Sequence, residues 1–172
     1  MKKDRILSAF LLSAILASTA LLVYIIITPK QGERFTEFYI LGEKGKAADY
    51  PTNLLAGEEA RVIIGIVNHE YRTVDYMVEI WLVNNSSMLF LDSFCVTLNH
   101  TDLSEAWKPQ YEVIYNFSID EPGRYKMYFL LFKNCSTGNF ERMKDYYESD
   151  FWKIRDAEER KIQSLYLNIF VR

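Results

Sequence analysis

The sequence predicts a mainly β protein: an N-terminal transmembrane helix followed by an immunoglobulin-like antiparallel β-sandwich of about seven strands, with one inserted helix before the last strand. Three observations carry that expectation. Residues 6–28 form an uncharged run of 23, rich in Leu, Ile and Ala. Beyond it, short segments rich in Val, Ile, Tyr and Phe alternate with turn residues, which is strand composition. A single later stretch, 140–163, instead spaces its apolar residues by three and four.

At 1.5 Å per residue the apolar run spans a hydrocarbon layer of roughly 30 Å. Lys2, Lys3 and Arg5 precede it, while only Lys30 and Arg34 lie close behind. That bias places the N-terminus inside. The expected organisation is a cytoplasmic 1–5, a span at 6–28, a linker at 29–34 and an extracellular domain at 35–172, in a single-pass protein of the plasma membrane. The lipid bilayer is then a partner through residues 6–28, and Tyr24 suits the outer interface. A cleaved signal peptide is the rival, with Ser18-Thr19-Ala20 as the cutting site. Cleavage there would leave 21–27 as an exposed apolar tail, so an uncleaved signal-anchor is favoured.

Strands are expected at 35–41, 60–68, 76–83, 88–98, 111–119, 124–133 and 165–171. Gly42 to Gly45, Ala56-Gly57-Glu58, Asn84 to Ser87, Pro109 and Glu121-Pro122-Gly123 supply the turns. Inner faces follow from alternation: Phe94, Val96 and Leu98; Tyr111, Val113, Tyr115 and Phe117; Tyr125, Met127, Phe129 and Leu131; Leu165, Leu167, Ile169 and Val171. The run Pro122-Gly123-Arg124-Tyr125 resembles the turn into a strand that many immunoglobulin-like and fibronectin-like domains use, with Tyr125 placed to pack across the corner. In 140–163 the stripe of Phe140, Met143, Tyr147, Phe151 and Ile154 predicts a helix laid on a sheet face or edge, flanked by Tyr146 and Trp152.

Of 20 Lys and Arg, three precede the apolar run, leaving 17; of 23 Asp and Glu, Asp4 precedes it, leaving 22. The exported part is therefore acidic by about five charges with no basic stripe, which argues against nucleic acid as a partner. Five glycosylation sequons begin at Asn84, Asn85, Asn99, Asn116 and Asn134, all after the apolar run. Asn116 lies opposite in parity to the apolar residues of its strand and is expected to face solvent. Cys95 and Cys135 are also on that side, where an oxidising space favours a bridge between them.

No catalytic residue, metal site or cofactor is expected. His69 and His100 have no second His or Cys at ligand spacing, and there is no nucleophile elbow, phosphate-cradling glycine loop or Asp-rich calcium loop. Glu37 and His69-Glu70 are the groups placed for any acid–base role.

Two segments, Phe35-Thr36-Glu37-Phe38-Tyr39-Ile40-Leu41-Gly42 and the stretch from Tyr50-Pro51-Thr52-Asn53-Leu54 through Gly57-Glu58-Glu59 to Gly65-Ile66-Val67-Asn68-His69-Glu70-Tyr71-Arg72, resemble the archaeal membrane-protein family called domain of unknown function 1616. The resemblance implies an archaeal cell-envelope protein and carries no assigned activity. Relatives place several membrane helices before this domain, whereas one apolar run is present here. The polar motif Asn68, His69, Glu70, Tyr71 and Arg72 at a strand exit is a candidate binding site, with a purely turn-forming role as its alternative.

The expected function is a non-enzymatic interaction or scaffold module of the envelope that binds an envelope protein or a glycan. The alternative is an accessory subunit of an integral membrane enzyme, such as glycan-transfer machinery. Small residues Ser13, Ala14, Ala17, Ser18 and Ala20 would then let a neighbouring helix approach.

Overall fold

A computed structural model describes residues 2–27, 32–84, 87–101, 108–133 and 151–172. Met1–Glu33 and Arg34–Arg172 form two separate compact units.

In the first unit, helix α1 (Lys2–Ile27) contains one segment, Arg5–Ile27, long and apolar enough to cross a membrane. Its apolar side chains are exposed all round. The hydroxyls of Ser13, Ser18 and Thr19 donate to carbonyls of the same helix at 2.8–2.9 Å, which satisfies them without water.

The second unit is a two-sheet sandwich, mainly β as expected. β1 (Phe35–Leu41), β3 (Ala60–His69) and β6 (Tyr111–Phe117) form an antiparallel sheet with β3 in the centre. β2 (Asn53–Leu54), β4 (Val74–Val83), β5 (Met88–Leu98), β7 (Gly123–Lys133) and β8 (Gln163–Val171) form the other, in the order β2-β8-β7-β4-β5. Eight strands therefore stand among the described residues where about seven were expected. The extra one, β2, is two residues long and runs parallel to β8, with Thr52 and Leu54 carbonyls accepting from the Phe170 and Arg172 amides. Two residues are too few to show alternation, so the sequence pattern could not reveal it.

Alternation sets the core. Phe38, Val62, Ile64 and Ile66 of the smaller sheet meet Tyr76, Val78, Ile80, Met127, Phe129, Leu131 and Ile169 of the larger one. Tyr125 turns the corner as its sequence context suggested, donating its hydroxyl to the Glu121 carbonyl at 3.0 Å. On the outside of the smaller sheet the Tyr39 ring lies over Gly65, where a Cβ would collide with it. Glycine in this strand interior marks that close approach.

The inserted helix is present in its final part. Of the expected 140–163, residues 140–150 lie outside the described residues, and helix α2 covers Phe151–Glu158. It ends earlier than expected because Arg160 takes a left-handed conformation (φ 59°), while the Arg160 amide bonds to the Ala157 carbonyl and the Lys161 amide to that of Asp156. The chain then enters β8 at Gln163, opposite Leu131. Ile154 and Ala157 pack against Trp81, Tyr128 and Leu130 on the outer face of the larger sheet. Between them Lys153 donates to both oxygens of Glu79, at 3.1 and 2.9 Å. Glu79 is fully buried and also accepts from the Trp81 indole at 2.9 Å. The Lys153 ammonium lies 5.3 Å from the Trp81 ring centroid.

Removing one member of a buried pair costs more than replacing both. Glu79→Ala is expected to lower stability by about 3–5 kcal/mol in denaturant titrations, and Glu79→Met with Lys153→Met to recover most of it. A Glu79→Ala variant as stable as the parent would refute this placement of α2.

Candidate functional site

The candidate polar motif sits where β3 leaves the smaller sheet. β6 begins only at Tyr111, opposite Ile66. At Asn68 the missing strand is replaced by other groups: the Gln110 side-chain oxygen accepts from the Asn68 amide at 2.8 Å, and the Thr101 amide donates to the Asn68 carbonyl at 2.8 Å. The Asn68 side chain, fully buried, donates to the carbonyls of Arg72 and Leu98 and accepts from the Glu70 amide. These bonds fold the chain back on itself and hold Tyr71 at φ 56°, a strained setting for a bulky residue. The Tyr71 ring lies 4.8 Å from that of His100.

His69 is 2% exposed, with its ring 4.7 Å from that of Phe35. Its Nδ1 donates to the Thr101 carbonyl at 2.8 Å, and its Nε2 lies 3.0 Å from a Glu37 carboxylate oxygen. A carbonyl only accepts, so Nδ1 carries hydrogen and is the donor of that bond. Both nitrogens are thereby used inside the fold.

Glu70 turns to the other side. It accepts from Lys133 of β7 and from the Thr36 hydroxyl of β1, the latter at 2.9 Å. Thr36 Oγ1 also lies 2.9 Å from the hydroxyl of Tyr76 on β4, and the Thr36 carbonyl accepts from Gln163 of β8 at 3.0 Å. One carboxylate thus connects both sheets. The hydrogen bond from Lys133 holds its carboxyl below the ordinary 4.5, against the upward push of burial. Burial raises the phenol of Tyr76.

The structure therefore unites Asn68, His69 and Glu70 in an internal clasp, while Arg72 stays exposed and Tyr71 half-buried. Thr36, Tyr76, Gln110 and Lys133 complete the clasp, and no local sequence signal marks them. Among the sequon residues, Asn99 and Asn116 are exposed; Asn99 accepts from Thr73, and Asn84 at its turn accepts from the Ser87 amide and hydroxyl. Asn85 and Asn134 lie outside the described residues. Cys95 is exposed on β5 and is not a free thiol, while Cys135 lies outside the described residues. No cluster of three metal-ligating side chains occurs among the described residues.

Because the folded Glu70 carboxyl is more acidic than the unfolded one, its contribution to stability is present above about pH 4.5 and is lost as pH falls through the lowered folded value. Glu70→Gln is expected to melt at lower temperature at neutral pH and to lose part of the parent's acid dependence. Identical melting curves against pH for both would rule out this role for Glu70.

Comparison with known proteins places the chain in a family but attaches no activity. No curated protein matches. Among solved structures, a CARDB domain from Pyrococcus furiosus, in complex with di-metal ions, is 10% identical over 84% of this chain and 98% of that one, with a TM-score of 0.47. A β-glucosidase from Listeria innocua in complex with isofagomine is 12% identical, with a TM-score of 0.44; the match covers 84% of this chain but 18% of the enzyme. The PmoD soluble domain from Methylocystis sp. ATCC 49242 (Rockwell) is 10% identical over 82% of this chain and 94% of that one, at 0.33. Similarity this remote says nothing of what the chain binds. The family model described as Domain of unknown function (DUF1616) matches residues 29–153, and the chain belongs to that family.

Proposed function

We propose that the chain is a non-catalytic interaction or scaffold module of the cell envelope, tethered by residues 6–28 with 1–5 in the cytoplasm and 35–172 outside. One observation carries this reading: His69 and Glu70 are buried and hydrogen-bonded within the clasp, and Glu37, half-exposed, is engaged by His69. What the domain offers outward is a surface. The apolar segment Arg5–Ile27 supports the tether, and the exposed sequon residues Asn99 and Asn116 support export. In an oxidising space Cys95 and Cys135 would be joined.

The accessory-subunit reading uses the same architecture and differs in where the partner sits. The hydroxyls of Ser13 and Ser18 are satisfied within α1, and with Ala14, Ala17 and Ala20 these small residues would let another helix approach.

Crosslinking in native membranes followed by mass spectrometry tests both readings together. The module reading expects crosslinks from Lys44, Lys126 or Lys161 to an envelope component, glycan mass on Asn99 or Asn116, and peptides of Cys95 and Cys135 joined until reduction. Crosslinks confined to a multi-span enzyme through α1 would favour the accessory subunit. A lone, uncrosslinked monomer would contradict both.

A further inference from the structure

Resting on the module reading, we infer that the open half of the larger sheet's outer face binds a carboxylate-bearing oligosaccharide. Helix α2 covers this face at Glu79, Trp81 and Leu130 and stops short of its other half. Beyond it lies a groove of about 740 Å³, lined among others by Asn53, Arg124, Lys126, Tyr128, Asn168 and Phe170.

Pairing between β7 and β8 orders these residues in rows: Arg124 opposite Phe170, Lys126 opposite Asn168, and Tyr128 opposite Tyr166. Tyr128 and Phe170 line opposite ends of the groove with an ammonium and an amide between, and Tyr166 stands beside Tyr128 outside the lining. Tyr166 is 55% exposed and Phe170 39%, so both large rings keep a solvent-facing surface. Four residues of extended strand separate them by about 13 Å, a span that an oligosaccharide bridges and a single sugar does not. The rings of Tyr128 and Tyr166 lie 5.8 Å apart, and the Lys126 ammonium is 5.3 Å from the Tyr166 centroid. A pyranose turns a face of C–H groups to such a ring and directs its hydroxyls outward, where Asn168, Asn53 and Lys126 supply amides and a donor.

Charge selects among sugars. Arg124 and Arg172 form no ion pair among the described residues, and Arg172 lies over the Phe170 ring at 5.8 Å. The acid at the rim, Glu158, already accepts from Tyr128 at 2.8 Å and lies 4.0 Å from Lys126. The groove is cationic on a domain with an excess of acid, so its field favours an anion there. A guanidinium takes a carboxylate through paired hydrogen bonds. A docking helix would need a continuous apolar trough, and the row of Lys126 and Asn168 interrupts this one.

Calorimetric titration of the full chain in detergent micelles with oligogalacturonate, a hyaluronan oligosaccharide and methyl-esterified oligogalacturonate tests the inference. Saturable binding of at least one acid is expected, weakened about tenfold or more by esterification or by Arg124→Gln. Tyr166→Ala should weaken it as well, whereas Lys44→Ala, outside the groove lining and 3.7 Å from Asp49, should not; melting curves check that each variant is folded. Failure of both acids to bind, equal binding of the ester, or undiminished affinity in Arg124→Gln and Tyr166→Ala overturns it. The module reading is judged separately by the membrane crosslinks: a protein captured through another face, with no saccharide binding, removes this site and leaves the module.

Discussion

The carboxylate of Glu70, held between Lys133 of one sheet and Thr36 of the other, is the contact on which the sandwich's closed end depends. A buried carboxylate without such donors would be costly, so the partners must arrive together. That requirement also constrains register. β1 pairs Thr36 with Asn68 and Phe38 with Ile66, putting Thr36 and Phe38 on the inner face. A slip by one residue would remove the donor from Glu70 and turn Phe38 to solvent at once. Polar satisfaction and hydrophobic burial thus specify the same alignment.

The clasp gives the His-Glu motif at a strand exit a structural role. Asn68 folds the turn, His69 ties β1 to the segment at Thr101, and Glu70 ties the sheets. Their polar side chains are engaged by β1, β7 and the segments at Leu98 and Thr101. The surface available for recognition is moved elsewhere by α2, which Glu79 and Lys153 hold against part of the larger sheet. The strands beside it keep Arg124, Lys126 and Tyr166 facing outward.

Much of the fold was legible in the sequence because a sandwich imposes a period of two. β5, β6, β7 and β8 present the alternating residues their inner faces use, and the Tyr125 corner was readable from Pro122 and Gly123. Glu79 shows the limit. Its parity marks it as outward, which ordinarily means solvent, yet it is fully buried because Lys153, 74 residues later, folds over it. The end of α2 was missed for a related reason: Arg160 adopts the conformation that a glycine would have announced. Of the site, the contiguous motif was visible, but the Glu70 partners Thr36 and Lys133 stand 34 and 63 residues from it in the chain, and only the fold joins them.

Hydrogen exchange at single amides tests most directly whether the motif is a clasp and not a mobile binding loop. The amides of Asn68, Glu70 and Thr101 are each bound to a group within the clasp, at 2.8–2.9 Å. Structural closure predicts that these amides exchange only as slowly as the central residues of β3 and β4, through global unfolding. Exchange as fast as that of the exposed Glu43 and Lys44 amides would contradict it.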